Sequence, residues 1–522
     1  MSRMIWTIAR KQLLTNVLTF KFVVGLVLCL VLFSLSAVIL TRDYAERLAN
    51  FNSASSQHLA RLHQARVYSH VKVIIDRRPA ILSPICEGFD KRFAGSVDVS
   101  YKEIPTLSVG QSEKNPLMVV LKSIDLVAIV QIVLSLLVLL FAYDVTSWEQ
   151  ERGTLALTLA NPVPRHVVLL AQYLGGLLTI LPMFLAGIGL ALLIMTRSRS
   201  VVFSSGDWKM LGLIVLLSVI YLSLLFLVGM LTSTLARSTA ASLVIVLFFW
   251  VVFVILLPNV CAHFASAAKA IQPKSVVDAQ ARQLSAEFWS RARDYARRHP
   301  RPGDIWAYSR GGSVFTGDLP YPIQFYYAPR EVMLWELEGL KYCLSLDMAY
   351  AEKIHSLYRN YELALAGQAS LAGTIGLLSP AWTYSHAASV LAGTDSGSFL
   401  RFLERARLYR RELIQYVESK NGLLGPAYFT RANIETLPTI SELAALSAAR
   451  GKDAVDELYG WRGEEAIAPL DLRDLPNWES PVQIVEDRVI PALPEMGILI
   501  LLNLLVFLLA HVAFLRADVR AG

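Results

Sequence analysis

The chain has 522 residues, is 54% hydrophobic and only 17% charged, and carries a net charge of +7. Soluble domains average about 25% charged residues, so composition argues against an ordinary soluble protein, and with no nucleic-acid motif present the basic excess suits anionic lipid headgroups. Four cysteines are too few for a disulfide scaffold.

Met1–Val17 spaces Met4, Ile5, Ile8, Leu13 and Leu14 between basic residues at helical intervals, which predicts an amphipathic helix (1–17) lying in a membrane interface. Six apolar runs follow, each near the roughly 20 residues that cross a bilayer. They place spans at 18–41, 118–143, 167–195, 209–231, 239–258 and 495–515. The first run is too long for a signal-peptide core and lacks a small-residue cleavage site, so it reads as a retained anchor. The segment 42–117 is polar and extracytoplasmic; its start continues as a helix, and Val71–Ile75 and Val97–Val99 are β-branched short strands. His58, His63 and His70 raise a metal hypothesis. No helical face holds all three and no Cys or Glu completes a site, so no metal is expected. Lys122 and Asp125 are placed to pair at the mouth of the second span. A Cys86–Cys343 bridge stays open, because spacing does not set connectivity.

The cytoplasmic link 144–166 is charged and punctuated by Gly153, Pro162 and Pro164. It is too short to hide its polar groups and must face water or a protein. Gly175, Gly176, Gly187 and Gly189 in the third span read as close helix packing. The large extracytoplasmic segment 259–494 reads as mainly helical, over Val276–Arg297, Arg330–Ala366 and Ser396–Ser419, with Gly422 as a C-terminal stop. Pro300–Pro329 and Gly425–Pro438 are loops; the aromatic group Trp306, Tyr308, Phe325, Tyr326 and Tyr327 reads as core or membrane contact. The tail is 516–522. Arg and Lys gather in the short segments on the N-terminal side, at Arg3, Arg10, Lys11, Lys21, Arg152, Arg165, Arg237, Arg516 and Arg520. The positive-inside rule then puts both termini in the cytoplasm. The fold class expected is mainly α: a polytopic membrane protein with six transmembrane helices and a mostly helical outer domain.

No Walker A loop, His-Glu-x-x-His motif or Gly-x-Ser-x-Gly elbow occurs in the sequence. The chain is therefore not expected to be an enzyme, and no catalytic residue is assigned.

At the link, the order and spacing of Asp144, Glu149, Glu151, Gly153, Thr154, Leu155, Pro162, Pro164 and Arg165 resemble the permease subunits of ABC-2 type ABC transporters, the six-span type V exporter-like proteins. Gln172 stands where that pattern often has Lys. The insertion resembles a subgroup with a large outer helical domain between the fifth and sixth spans, through Ser379-Pro380, Leu391–Asp395 with Phe402, and the closing Arg516–Arg520. The resemblance implies a bacterial inner-membrane permease that pairs with a second copy or paralogue and with cytoplasmic ABC ATPase subunits. ATP and Mg would be bound by those ATPases, with no cofactor in this chain; membrane lipids would be partners and nucleic acid would not. Leu155–Ala160 would form the coupling helix. Glu149, Glu151, Arg152, Gly153, Thr154, Leu155, Pro162 and Arg165 would couple to the ATPase, the charged ones by charge-assisted hydrogen bonds. The expected activity is export of a hydrophobic or amphipathic substrate. The alternatives are mechanotransmission through the outer domain, or a membrane sensor or scaffold without an ATPase.

Overall fold

The computed structural model describes residues 2–107, 124–153, 164–236, 238–300, 302, 328–459, 468–478 and 485–516. It is mainly helical, with six helices long and apolar enough to cross a membrane. The predicted pair of Lys122 with Asp125, the aromatic group in 303–327 and most of the C-terminal tail lie outside the described residues.

Helix α1 (Ser2–Val17) leads into α2 (Phe20–His63), a single helix of 44 residues. Where the sequence divides span from polar segment at 41, the backbone does not. The run after Leu40 keeps good helix formers and contains no Gly or Pro, so nothing interrupts the hydrogen-bond ladder. Strands β1 (Val73–Asp76) and β2 (Ser96–Val99) pair antiparallel, Val73 opposite Val99. The second span begins with a turn at Leu126–Ala128, passes through a π-helical stretch, Ile129–Leu134, and ends as α3 (Ser135–Ala142). The link contributes α4 (Ser147–Glu151). Spans three and four are α5 (Arg165–Arg197) and α6 (Ser205–Leu235). The fifth is α7 (Thr239–Trp250), a second π-helical stretch at Val251–Leu256, and α8 (Leu257–Ala268). Then come α9 (Lys274–Arg298), α10 (Arg330–Gly376), α11 (Pro380–Ala392), α12 (Ser396–Ser419), α13 (Ile440–Arg450), α14 (Lys452–Tyr459) and the final span α15 (Val485–Arg516).

Helix α6 is the axle of the bundle, its most buried span. Glycines set how closely its neighbours approach. A Cβ on Gly176 of α5 would stand 1.9 Å from the Phe226 ring, and one on Gly229 of α6 would stand 2.4 Å from Ala142 Cβ. On the other side of α5, Gly175 admits α1: its Cβ would meet Gln12 Cβ at 2.8 Å. Polar side chains then pin the helices together. Asn16 donates to Thr179 Oγ1 at 3.2 Å, and Ser223 Oγ lies 2.7 Å from both Tyr173 on α5 and Asn503 on α15. We expect Gly176→Ala to lower the melting temperature in detergent by an overpacking penalty of about 1–3 kcal/mol. Gly189→Ala, which meets nothing within 4 Å, serves as the control, and Phe226→Leu should partly restore the first variant.

Two features concern the polar segments. First, described residues of 42–117 and 259–494 fold together. Ala65, Val73, Ile75 and Val99 share one apolar core with Val332, Leu340, Phe399, Leu403 and Phe429. Buried Asp90 ties the first segment down, taking Arg47 at 2.6 Å and Arg77 at 2.8 Å. Second, α11, inside the inserted segment, belongs to the bundle core. After a short turn at the end of α10, α11 runs beside α6 and α15. The Tyr384 ring stacks on Tyr221 at 4.6 Å, its hydroxyl lies 2.8 Å from Ser218 Oγ, and Ser379 Oγ donates to the Phe253 carbonyl at 2.5 Å. That carbonyl lies in one π-helical stretch; in the other, the Gln131 carbonyl takes the Tyr221 hydroxyl at 3.0 Å. A π-helical turn disturbs the regular ladder, and here each receives a hydroxyl from a neighbouring helix.

Local signals behave as chemistry requires. The Leu391–Asp395 run is the joint between α11 and α12: left-handed Gly393 (φ 71°) ends α11, and Asp395 caps α12 by accepting from Gly397 and Ser398 N–H. At the far end of α12 the left-handed residue is Asn421 (φ 50°), not Gly422. The Gly422 N–H reaches back to the Val417 carbonyl at 2.8 Å and the Asn421 N–H to Glu418 at 3.0 Å, a Schellman stop with Asn in the left-handed place. Gly422 is needed for space, since a Cβ there would stand 2.4 Å from Tyr68. Cys86 and Cys343 are both free and buried, in separate apolar clusters, so the bridge left open by the sequence is absent.

Candidate functional site

The link lies at the end of the bundle opposite the outer domain. There α1, α6 and the start of α7 meet α4 and its N-terminal residues, and the last turn of α15 meets Arg165 at the start of α5. The N-terminal amides of a short helix lack intrahelical partners. For α4, Ser233 of α6 supplies one: its Oγ accepts from both Thr146 N–H and Ser147 N–H at 3.0 Å. Ser242 of α7 donates to the Tyr143 carbonyl just upstream, at 2.7 Å. Asp144 takes Lys21 at the start of α2, at 2.9 Å.

The acidic residues are engaged inside the chain. Glu149 accepts from Gln172 Nε2 of α5 at 3.1 Å and lies 3.7 Å from Lys11 of α1. Gln172, where the resembled pattern often has Lys, is buried and makes this bond without bringing a charge below the surface. Glu151 is exposed, yet both its oxygens are used: Thr239 N–H donates to one at 2.8 Å and Thr239 Oγ1 to the other at 2.6 Å. It thereby places a carboxylate at the N-terminus of α7, where unpaired amides and the helix dipole favour negative charge. Arg165, opening α5, donates to the carbonyls of Phe514 and Leu515 at 3.3 and 2.7 Å, capping the C-terminus of α15.

Within the chain, the Glu149 and Glu151 carboxylates join α4 to α1, α5 and α7. Exposed beside Glu151 are Trp148, 43% exposed, and Arg152, whose guanidinium sits 4.2 Å from the Trp148 ring centre. Trp148 was missed; its signal is the four-residue spacing to Arg152, which stacks side chains on one helix face. Gly153 ends α4 in the left-handed region, φ 68°, with open space where a Cβ would sit. Thr154, Leu155, Pro162 and the coupling helix Leu155–Ala160 lie outside the described residues. Among the described residues, no three His, Cys, Asp or Glu side chains converge as a metal site; His58 is committed to Asp76 at 2.8 Å.

Residues 6–519 match the model of a family described as ABC-2 family transporter protein. No curated protein matches the chain.

Proposed function

Because the chain belongs to the ABC-2 transporter family, we propose that it is the permease of an exporter whose spans are driven through the 144–165 link by a separate ATPase. Membership makes it a multi-pass permease subunit of an ABC transporter, with a cytoplasmic ABC ATPase as partner. The rest of this reading is ours. The Arg and Lys distribution supports a cytoplasmic link end. Two such permeases pair. The cargo is hydrophobic or amphipathic, in keeping with spans whose middles carry no full charge.

One observation carries the coupling role: side chains around a five-residue helix tie it to α1, α2, α5, α6 and α7, while Arg165 at the far end of the link holds α15. An ATPase pressing on the Trp148–Arg152 face would move these helices together rather than bend one of them. Close-packed interiors pass displacement on, and ATP can bias two arrangements only by contacting them differently.

Glu151→Ala tests this. The ATPase subunit should still co-purify, because Glu151 faces α7. ATP-driven transport in vesicles should fall at least tenfold, because α4 is no longer fastened to that span. Full transport by the variant removes the assignment. A second reading, mechanotransmission, is favoured by α11, which lies in the bundle core and is joined in sequence to α10 and α12 of the outer domain. Substrate accumulation against a gradient in the same vesicles rules out motion transfer alone.

A further inference from the structure

The outer domain holds a cleft of about 640 Å³ between α9, one face of α10 and the strand β2 with the loop after it. That volume lies within the ~300–1,000 Å³ typical of small-molecule sites. Its walls come from chain segments that are far apart in sequence. Phe288 and Trp289 stand on α9, and Tyr350, Ile354, His355 and Tyr358 on α10. From the β2 side come Asp98, Lys102, Glu103 and Pro105.

The back wall is held rigid. Arg407 Nε donates to the Pro105 carbonyl and Arg410 Nε to the Ser100 carbonyl, both at 2.9 Å. These guanidiniums are themselves clamped, Arg407 by both oxygens of Glu362 and Arg410 by Glu352. A loop fixed by buried side chains is a preorganised wall.

The chemistry of the lining points to a cation. Asp98, Glu103 and Asp347 set three carboxylates against one ammonium, Lys102. Lys72 pairs with Asp98 and Glu103 from outside the lining, at 3.6 and 3.1 Å, so a ligand cation at these two carboxylates would compete with this ammonium. His355 Nδ1 is buried and has no hydrogen-bond partner. Burial, with the Arg407 guanidinium close by, holds this imidazole below its ordinary pKa, so near pH 7 it adds no positive charge to the cleft. Aromatic faces attract cations within about 6 Å, and the Tyr350 ring already draws Arg291 and Lys353. Trp289 and Tyr358 add further aromatic surface.

We propose that this cleft binds a small amphipathic amine, an ammonium or guanidinium group carried on an apolar, aromatic body. The site is independent of the role given to the link, and binding here says nothing of how the spans are driven.

The test uses the full chain in lipid nanodiscs, with empty nanodiscs subtracted. The probes are 4-phenylbutylamine, its neutral alcohol and its carboxylate, which share a body and differ in charge. Saturable binding of the amine, at least about tenfold tighter than the alcohol and with no binding of the carboxylate, is expected. Asp98→Asn, a half-exposed position, should weaken the amine about fivefold and leave the alcohol unchanged; Trp289→Leu should weaken both. No saturable amine binding, equal affinity for the three probes, or a preference untouched by both variants overturns the proposal. Circular dichroism of each variant distinguishes lost binding from lost fold.

Discussion

Proline at position 153 is expected to abolish ATP-driven activity, while asparagine at the same position preserves most of it. Gly153 has φ 68°. Proline is locked near −65°, so it cannot take the native backbone and would re-aim everything after α4. It would also delete the N–H that donates to the Gln150 carbonyl at 3.1 Å. Asparagine tolerates the left-handed region, and nothing occupies the space its Cβ would enter. The two variants therefore separate backbone direction from side-chain contact. Transport per mole of folded protein, measured in vesicles with the ATPase present, is the readout. Equal activity in the two variants would show that the path of the chain beyond α4 is immaterial to coupling.

Arg407→Ala should be the most destabilising single change in the outer domain. Arg407 and Glu362 are each about nine-tenths buried or more and meet through two bonds of 3.0 and 2.8 Å. Removing one partner of a buried pair typically costs about 3–5 kcal/mol, because the remaining charge is stranded. Here the loss is compounded: Arg407 also holds the Pro105 carbonyl, and Glu362 accepts the Leu107 N–H at 2.6 Å. Hydrogen exchange should speed up in 100–107, α10 and α12 while the bundle amides stay protected. The double change Arg407→Met with Glu362→Leu should recover much of the protection, since apolar residues of similar size carry no stranded charge. Unchanged exchange in Arg407→Ala would mean that water reaches the pair and screens it.

Much of the molecule was legible because it depends on local rules. A bilayer-length apolar run reads as a span in any context. Asp395 before Ser396 and Thr439 before Ile440 cap the helices that follow them, and Thr439 forms a capping box with Glu442. The glycines of α5 announced close packing, and Gly175 and Gly176 provide it on two sides of one helix. The link was visible as a charged, punctuated stretch, yet its partners were not. Nothing in the order of residues says that Glu151 will meet Thr239, 88 positions away, or that Arg165 will cap a helix ending 350 positions later.

By itself the sequence determined the helical class, the six membrane-length helices and the position of the charged link, because each follows from periodicity and from backbone chemistry within a few residues. Only the tertiary structure decided that two distant polar segments share one core, that α11 packs into the bundle, and that the acidic residues of the link bind their own chain. Those outcomes rest on shape complementarity and on pairing of buried polar groups, which are set by what lies alongside in space and not by what lies adjacent in the chain.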